Sequence, residues 1–388
     1  MTVSPPHEDA LRILAIEPYY GGSHRAVLDG LVERIDARWT LLTLPPRKWK
    51  WRMRGSAIGF AAKLAEEYGA SGARTRRPRY DLVFASTFVN LAELYGMAGQ
   101  ALAGVPSIVY FHENQLVYPN RHTADWDYQF PLTNITSALT ADACVFNTEW
   151  NLRTFLDAIP GFIRAFPDHR PSGLDDRIAA RSVVIPPPFD PTPFDEVSGR
   201  EASGDRRGRT PVRIVWPHRW EHDKNPEEFF RAVTLLAAEG LSFEVAIAGQ
   251  EFRETSGLLR EAAGSLGDRL VHVGQPDTRV EYAELLAGSD IAVSTAHNEF
   301  FGLAMIEASY AGCFPLVPDR LAYPEIYPRE FLYADEDDLV SRLREIILDP
   351  PQPARARAIA ERFTFDRCAP SYRDLFAKVA HGRRDATA

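Results

Sequence analysis

The chain has 388 residues, of which 45% are hydrophobic and 25% charged, and its formal net charge is -9 at pH 7. This composition excludes a disordered chain, a collagen-like chain and a disulfide scaffold, and the length predicts two domains. No apolar run approaches the roughly 20 residues that span a bilayer, and the first ten residues lack the pattern of a secretory signal. Three scattered cysteines, Cys144, Cys313 and Cys368, indicate reduced core thiols in a cytoplasmic protein.

The first half of the sequence alternates short apolar runs with helical patterns, which favours a parallel sheet. A strand predicted at 12–17 is followed by a glycine turn and a helical pattern, for which Ser23 is the expected N-cap. That unit is typical of the opening of a Rossmann-like fold. Further strands are predicted at 40–44, 82–85, 107–111, 143–146 and 182–185.

A Pro-rich and then Ser/Gly/Arg/Asp-rich stretch at 186–210 interrupts this alternation, and 191–210 is interpreted as a linker. The sequence therefore predicts an α/β protein with an N-terminal domain at 1–190, a C-terminal domain at 211–364, and a last segment at 365–388 that crosses back to the first domain. The two Rossmann-like domains are expected to face each other across a cleft. In the second series, strands are predicted at 212–216, 243–248, 270–273, 291–294 and 314–317, and helices at 226–239, 281–287, 302–311 and 336–348.

The block at 216–226, WPHRWEHDKNP, falls where the first strand of the second domain leads into its first helix. Ligands of doubly wound folds bind at the carboxyl ends of strands. Arg219 offers a bidentate fork and Lys224 a point charge, which together suit a diphosphate, and the helix N-terminus adds amide donors. Spacing alone also permits a solvated charged loop.

The block at 298–307, NEFFGLAMIE, carries two glutamates eight residues apart around an aromatic-glycine turn. The amides of Phe301, Gly302 and Leu303 are predicted to begin a helix and to form a second anion site. Glu307 is then placed to accept hydrogen bonds from ribose hydroxyls, and Glu299 to hold a sugar hydroxyl. By itself this spacing also fits a solvated helix residue and a helix cap.

Two motifs of the first half place polar residues after strands. The turn at 19–24, YYGGSH, contains Gly21 and Gly22, whose backbone can approach a phosphate or a sugar, followed by Ser23 and by His24 as a site residue or a cap. The stretch at 110–118, YFHENQLVY, places His112, Glu113 and Asn114 at the end of a strand, where a histidine is a site residue or simply part of the core. Asp125 and Asp127 follow in a polar loop.

Residues 45–80 carry ten Lys or Arg against two Glu, a local charge of +8. Arg47, Lys48 and Lys50 alternate with tryptophans, and Arg74, Arg76, Arg77 and Arg79 follow. Basic residues interleaved with tryptophan suit phosphates and stacked bases. The alternative is a basic surface helix whose tryptophans pack on the core.

The order of these motifs resembles the retaining GT-B glycosyltransferases of the glycogen-synthase-like class. Four stretches, at 20–24, 111–118, 217–225 and 299–302, resemble more narrowly the tRNA-queuosine mannosyltransferase family, and the stretch at 320–326 is also similar. The resemblance implies a reaction in which mannose moves from GDP-mannose to a cyclopentene hydroxyl of queuosine in the anticodon of tRNA-Asp. It also implies retention at the anomeric carbon, no cofactor and no obligatory metal.

The resemblance further implies roles for individual residues. Arg219 and Lys224 would neutralise the donor diphosphate, Glu307 would bind the ribose, and Glu299 and His112 the transferred sugar. The donor set also includes Gly21, Gly22, Gly249, Gly274, Phe301, Gly302 and Leu303. The +8 patch adds the hypothesis that residues 47–79 and the loop at 113–127 form the tRNA face. The predicted acceptor set comprises Ser23, His24, Arg47, Lys48, Lys50, Glu113, Asn114, Asp125 and Asp127.

Three other functions remain open at this point. The first is a retaining glycosyltransferase with a lipid, polysaccharide or small-metabolite acceptor, in which 45–63 would be a membrane-surface helix. The second is a nucleotide-sugar epimerase, which needs no acceptor. The third is a tRNA- or nucleotide-binding module without catalysis. The favoured interpretation expects no stable membrane association.

Overall fold

The computed structural model describes residues 10–70, 79–119, 127–201, 211–249, 256–350 and 354–386. The chain divides into two compact units. The first unit contains the described residues up to Pro188 together with those from Cys368 onward, and the second unit runs from Phe189 to Arg367.

A six-stranded parallel sheet forms the centre of the first unit, in the order β2-β1-β3-β4-β5-β6. The strands are β1 Arg12–Glu17, β2 Arg38–Thr43, β3 Leu82–Ser86, β4 Ser107–Phe111, β5 Ala143–Phe146 and β6 Ser182–Val184. The helices are α1 Gly22–Arg34, α2 Trp49–Ala70, α3 Leu91–Ala98, α4 Gln129–Thr140, α5 Glu149–Arg164 and α6 Leu174–Ala179. Strands β3, β4 and β5 are buried along their whole length, which is why they read in the sequence as short continuous apolar runs.

The second unit repeats this architecture around a sheet in the order β12-β11-β10-β7-β8-β9, whose pairs are all parallel. Its strands are β7 Val212–Trp216, β8 Phe243–Ile247, β9 Leu270–Val273, β10 Ile291–Val293, β11 Phe314–Pro318 and β12 Leu332–Tyr333. Its helices are α7 Thr192–Glu201, α8 Pro226–Ala238, α9 Ser256–Leu266, α10 Arg279–Ala287, α11 Leu303–Ala311, α12 Tyr323–Ile326, α13 Glu336–Leu348 and α14 Ala354–Glu361.

The last helix, α15 Phe365–Ala386, belongs to the first unit from Cys368 onward. Within that unit the Tyr372 hydroxyl donates to the carbonyl oxygen of Pro186 at 3.1 Å. The Phe376 ring packs against the edge of Trp39 at 6.0 Å between centroids. Buried aromatic contacts of this kind hold the C-terminal helix on the first sheet.

The structure differs from the sequence-based expectation in two local features. Helix α7 occupies residues predicted as linker, because Asp190 accepts a hydrogen bond from the Thr192 amide at its start and Phe194 and Val197 bury their side chains. The rest of the predicted linker, 202–210, lies outside the described residues. Helix α1 begins at Gly22 with Gly21 as its N-cap and no side-chain cap, so the prediction of Ser23 as the N-cap is wrong.

Candidate active site

The loop between β7 and α8 carries Lys224, whose side chain is only 12% exposed. Its Nζ donates to the Asn298 carbonyl oxygen at 2.7 Å and to Glu299 Oε2 at 3.2 Å, and it lies 3.4 Å from Asp223 Oδ2. The two motifs that the sequence singled out in the second half therefore meet in one contact, although 75 residues separate Lys224 from Glu299.

Lys224 and Glu299 each favour the charged form of the other. Burial acts to lower the pKa of Lys224, but the carboxylates of Glu299 and Asp223 act more strongly and the pKa is raised. Burial acts to raise the pKa of Glu299, but Lys224 and His218 outweigh it and the pKa is lowered. A buried ammonium that stays charged at neutral pH is a fixed positive charge of the kind that a diphosphate requires.

The backbone around Lys224 is fixed by hydrogen bonds. Asn225 takes a left-handed conformation, φ 49°, and its side chain accepts from the Glu228 amide as the N-cap of α8. The Thr295 hydroxyl is shared between the carbonyl oxygens of Lys224 and Asn225, at 2.9 and 2.8 Å, and accepts from Trp216 Nε1. The loop is thereby tied to the segment that follows β10.

Arg219 lies earlier in the same loop and differs from Lys224 in exposure. Its side chain is 53% exposed, and its Nη1 is 3.3 Å from Glu221 Oε1. Just before it, the His218 carbonyl approaches Gly249 so closely that a Cβ at position 249 would lie 1.8 Å from the oxygen. Packing therefore requires glycine at position 249, in addition to the predicted contact of its backbone with the donor. Gly274 has a φ of +120°, a conformation that favours glycine.

The turn before α11 is organised by Glu299. Its Oε1 accepts from the amides of Phe300 at 3.2 Å and Phe301 at 3.5 Å. Gly302, φ +89°, is the N-cap, and a Cβ there would lie 2.8 Å from Tyr323 Cε1. Among the three predicted amide donors, that of Phe301 is therefore directed at Glu299, whereas those of Gly302 and Leu303 belong to the opening turn of the helix.

Glu307 is buried in α11 and carries an ion pair that the sequence analysis did not single out. Arg279 Nη2 donates to Glu307 Oε1 at 2.6 Å, and Arg279 Nη1 lies 3.5 Å from Glu307 Oε2. Burial acts to lower the pKa of Arg279, but Glu307 outweighs it and the pKa is raised. The sequence signal that places Arg279 is the capping box of Thr278 and Glu281, which starts helix α10 at this arginine.

In the first unit, Glu17, His24 and His112 form a compact cluster at the ends of β1 and β4. His24 Nδ1 is 3.0 Å from Glu17 Oε2, and His112 Nε2 is 4.0 Å from the same oxygen. The two imidazole rings stack at 3.8 Å between centroids. Burial, together with the neighbouring His24, lowers the pKa of His112 well below its ordinary value, so His112 is neutral at pH 7.

The side chains of this cluster are of the types that bind transition metals. One ligand atom from each of Glu17, His24 and His112 lies within 4.8 Å of the others, and a neutral His112 can act as a ligand. The absence of an obligatory metal stays a prediction. Glu17 was not predicted as a site residue. Its signal was a charged residue directly after the four apolar residues of β1.

The predicted acceptor residues have different surroundings. Ser23 is exposed, and Glu113 Oε1 accepts from Gln115 Nε2 at 2.8 Å. Asn114 is fully buried. Its side-chain NH₂ donates to Asn151 Oδ1 at 2.7 Å, and its oxygen accepts from the amides of Leu116 and Val117. The structure thus gives Asn114 a structural role instead of the predicted acceptor contact, because its polar atoms are committed inside the protein.

The basic segment enters helix α2 with Arg47, Lys48 and Lys50 exposed. The two tryptophans differ: Trp49 packs on Phe130 at 5.0 Å between centroids, whereas Trp51 is 69% exposed. Asp127 is paired with Arg54. Asp125 and the arginines at 74, 76 and 77 lie outside the described residues.

All three cysteines are free and buried, as the sequence predicted. Within the ranges that the structure describes, we find no helix of the length and apolarity needed to cross a bilayer.

Two family models match the sequence. Residues 12–189 match the model described as tRNA-queuosine alpha-mannosyltransferase N-terminal, and residues 205–363 match glycosyl transferases group 1. A tRNA-queuosine alpha-mannosyltransferase of Drosophila melanogaster is 35% identical over 387 residues, which cover 97% of this chain and 98% of the relative. A GDP-mannose-dependent alpha-(1-6)-phosphatidylinositol dimannoside mannosyltransferase of Mycobacterium tuberculosis is 29% identical over 210 residues, or 50% of this chain and 52% of that protein.

Among solved structures, the fold is similar to that of a sucrose-phosphate synthase from Thermosynechococcus elongatus, with a TM-score of 0.65 and 17% identity over 95% of this chain and 99% of that one. It is also similar to an alpha,alpha-trehalose-phosphate synthase from Burkholderia vietnamiensis, with a TM-score of 0.67 and 14% identity over 98% and 99% of the two chains. The predicted GT-B class is confirmed. Because the match to the fly protein extends over nearly all of both sequences, the chain belongs to the tRNA-queuosine alpha-mannosyltransferase family.

Proposed function

We propose that this chain is a retaining glycosyltransferase that moves mannose from GDP-mannose to a cyclopentene hydroxyl of queuosine in the anticodon of tRNA-Asp. The observation that carries the proposal is the 35% identity to the fly enzyme along 97% of the chain. The name of the mycobacterial relative supports GDP-mannose as the donor. The free, buried cysteines are compatible with the cytoplasm as the location.

In this proposal the second unit binds the donor. The Lys224 ammonium is anchored by the Asn298 carbonyl and by Glu299, so it is oriented before the substrate arrives. Arg219 is more exposed and closes on the diphosphate from the same loop. A preorganised cation acts most strongly on the transition state, in which negative charge develops on the departing GDP.

Sugar and ribose contacts are assigned to the two glutamates. An ionised carboxylate offers about four lone-pair sites, so Glu299 accepts from a mannose hydroxyl beside Lys224 and the Phe300 amide. Glu307 accepts from the ribose while Arg279 donates to its Oε1 at 2.6 Å. Gly274, Gly302 and Leu303 contribute backbone contacts to the donor, and Gly249 keeps the Arg219 loop in position.

We assign to the first unit the binding of the acceptor and a few contacts with the donor. Neutral His112 donates or accepts a hydrogen bond with the transferred sugar without adding charge, and Glu17 orients the neighbouring His24. The turn at Gly21 and Gly22 approaches the donor through its backbone. Ser23, Glu113 and Asp127 face the modified base, and Arg47, Lys48 and Lys50 contact tRNA phosphates.

The bond changes follow the mechanism of the retaining class. The acceptor oxygen forms a bond to the anomeric carbon on the face from which GDP leaves, while the bond from that carbon to the phosphate oxygen breaks. The acceptor proton passes to the departing phosphate oxygen. No protein carboxylate is required as a base, which agrees with the engagement of both glutamates in ion pairs.

The experiment is a comparison of GDP release from GDP-mannose with two acceptors. One is tRNA-Asp that carries queuosine, and the other is the same tRNA with an unmodified guanine at that position. We expect release that depends on queuosine. Equal release with both tRNAs, or release only with a lipid or saccharide acceptor, would contradict the proposed acceptor and leave the glycosyltransferase assignment in place.

A further inference from the structure

One side of helix α2 lines an open groove against the edge strand β2. The groove has a volume of about 390 Å³, within the roughly 300–1,000 Å³ typical of small-molecule sites. Its helical side is a single stripe with spacings of three and four residues, which identifies one face of α2. This stripe comprises Arg52, Gly55, Ser56, Gly59, Phe60 and Lys63.

The apolar floor of this α2 groove is built from the strand and the helix. Leu42 and Phe60 are buried, and Leu44 is partly buried beside them. Trp51 stands at the rim with 69% of its surface exposed, which is unusual for so large an aromatic side chain. The floor and rim thus offer a flat apolar surface beside an open aromatic ring.

Two glycines widen the groove without an evident structural reason. Gly55 and Gly59 lie one turn apart in the interior of a 22-residue helix, where glycine is less stable than alanine. Among the described residues, and apart from the helix's own backbone, no atom lies within 4 Å of a Cβ built at either position. Packing inside the protein therefore does not require glycine here, whereas an occupant of the groove would.

The charge around the groove selects the class of occupant. Residues 47–65 contain six Lys or Arg and no Asp or Glu, and they include three of the five lysines of the chain. Arg52 is held over the groove by hydrogen bonds to the Pro45 carbonyl oxygen at 3.1 and 3.3 Å, and Lys63 is exposed at the other end. An occupant with a flat aromatic part and negative charge on either side matches this arrangement.

We propose that the α2 groove binds one unstacked nucleotide of the tRNA outside the residue that is glycosylated. Its base stacks on Trp51 over the space left by Gly55 and Gly59, and its flanking phosphates contact Arg52 and Lys63. Bases splayed from single-stranded RNA are bound by aromatic stacking and basic side chains in this way. The inference rests on the proposed function for the identity of the RNA.

The test measures the dissociation constant of queuosine-containing tRNA over a series of salt concentrations. Trp51→Ala and Gly59→Leu should weaken binding on the order of tenfold or more and leave the salt dependence unchanged, because a stacked base carries no charge. Lys63→Gln should reduce the slope of log K against log salt by about 0.7, the value for one phosphate of a single strand.

Matched controls come from the same helix. Ile58→Ala removes another exposed apolar side chain, and Gly69→Leu fills another open glycine position, both outside the groove. Both controls should bind like the wild type. Gly59→Leu should keep or raise the thermal midpoint, which separates loss of binding from loss of fold.

The failure of this inference is distinguishable from failure of the proposed function. Wild-type tRNA affinity in all three groove variants would overturn the groove, whatever the enzyme transfers. The groove proposal would also be overturned if Trp51→Ala lost its binding to phosphatidylserine vesicles and kept its binding to tRNA. Groove-dependent tRNA binding without mannose transfer by the wild type would support the groove and contradict the proposed function.

Discussion

Lys224 shows how a single residue is prepared for its function by its neighbours. It is nearly buried, yet Glu299 and Asp223 keep it charged and Asn298 fixes the direction of its ammonium. An exposed lysine would need to be desolvated and oriented with every donor molecule. The arrangement therefore favours stabilisation of the departing diphosphate over general attraction of anions.

Lys224→Ala should lower kcat/KM for mannose transfer by roughly 100- to 1,000-fold, the usual effect of losing one preorganised donor. The reason is the missing positive charge at the leaving group, and the measurement is steady-state turnover at subsaturating GDP-mannose. Lys378→Ala, which removes an exposed lysine from helix α15, serves as the control and should leave turnover unchanged. Near-normal turnover of Lys224→Ala would exclude the donor assignment.

A second prediction concerns His218, whose Nε2 is buried without a hydrogen-bond partner among the described residues. Burial and the neighbouring Lys224 lower the pKa of His218 to about 3. The unfolded state, with a pKa of about 6.5, therefore binds more protons at acid pH, and the free energy of unfolding falls as the pH drops below that value.

Between pH 6.5 and pH 5.0 this histidine should account for a loss of about 1.5 kcal/mol in the free energy of unfolding of the second unit. Denaturant unfolding of the wild type and of His218→Phe at both pH values measures it, and His218→Phe should lack this part of the loss. His222→Phe, at an exposed position of the same loop, should keep it. An equal pH dependence in wild type and His218→Phe would refute this explanation.

The residue pairs of the site were only partly predictable from the sequence. Lys224 and Glu299 were singled out because charged residues follow strand ends, but their mutual contact spans 75 residues. Arg279 was missed since its role depends on Glu307, 28 residues away, and Glu17 since one acidic residue at a strand end is common. Asn114 was misjudged because burial of a polar loop residue is not visible in the sequence.

At the scale of elements, the loop between β7 and α8 depends on its contact with the end of β8. Gly249→Ala would place a Cβ 1.8 Å from the His218 carbonyl oxygen, so the backbone before Arg219 must move. We expect a loss of about 1–3 kcal/mol of stability, as for other overpacked sites, and a higher KM for GDP-mannose. Thermal unfolding and donor titration measure the two effects.

The control for this substitution is Gly264→Ala in helix α9, where a Cβ would have only the helix's own backbone within 4 Å among the residues that the structure describes. It should raise stability by about 0.5–1 kcal/mol, because alanine is the better helix former, and leave the KM unchanged. If Gly249→Ala matched Gly264→Ala in both measurements, the close approach of Gly249 to the His218 carbonyl would contribute neither to stability nor to donor binding.

The sequence predicted the strands better than the segments between the units. Buried parallel strands are recognisable because both faces are apolar, and four of them, at 12–17, 107–111, 143–146 and 212–216, have the observed bounds at both ends. The bounds predicted at 270–273 also agree, although β9 is a partly exposed edge strand. Helix α7 was missed because its proline and acidic residues resemble a linker, and the burial of Phe194 and Val197 against the second unit is not visible in the sequence. The two-residue strand β12 is too short to leave a periodic signal.

At the scale of the whole molecule, a net charge of -9 coexists with a strongly basic segment in the first unit. A protein that bound nucleic acid only through general electrostatic attraction would not carry a net negative charge. The distribution instead favours docking of an anion on one surface. Charge reversal of Arg47, Lys48 and Lys50 to Glu should therefore weaken tRNA binding and lower its salt slope by about 0.7–0.9 for each phosphate that the variant no longer binds.

The matched control reverses three exposed arginines of the same unit away from that segment, Arg153, Arg170 and Arg177. It changes the net charge by the same amount and should have a much smaller effect on the salt slope. If both triple variants changed the slope equally, long-range charge and not local binding would govern tRNA affinity, and the acceptor assignment of this segment would be wrong.

Mass spectrometry of the nucleosides tests the central claim most directly. Queuosine-containing tRNA-Asp is incubated with the protein and GDP-mannose and then digested to nucleosides. We predict that queuosine gains the mass of one hexose residue, and that the gain is absent with Lys224→Ala. An unchanged queuosine mass with intact GDP-mannose, from a folded wild-type protein, would contradict the proposed reaction.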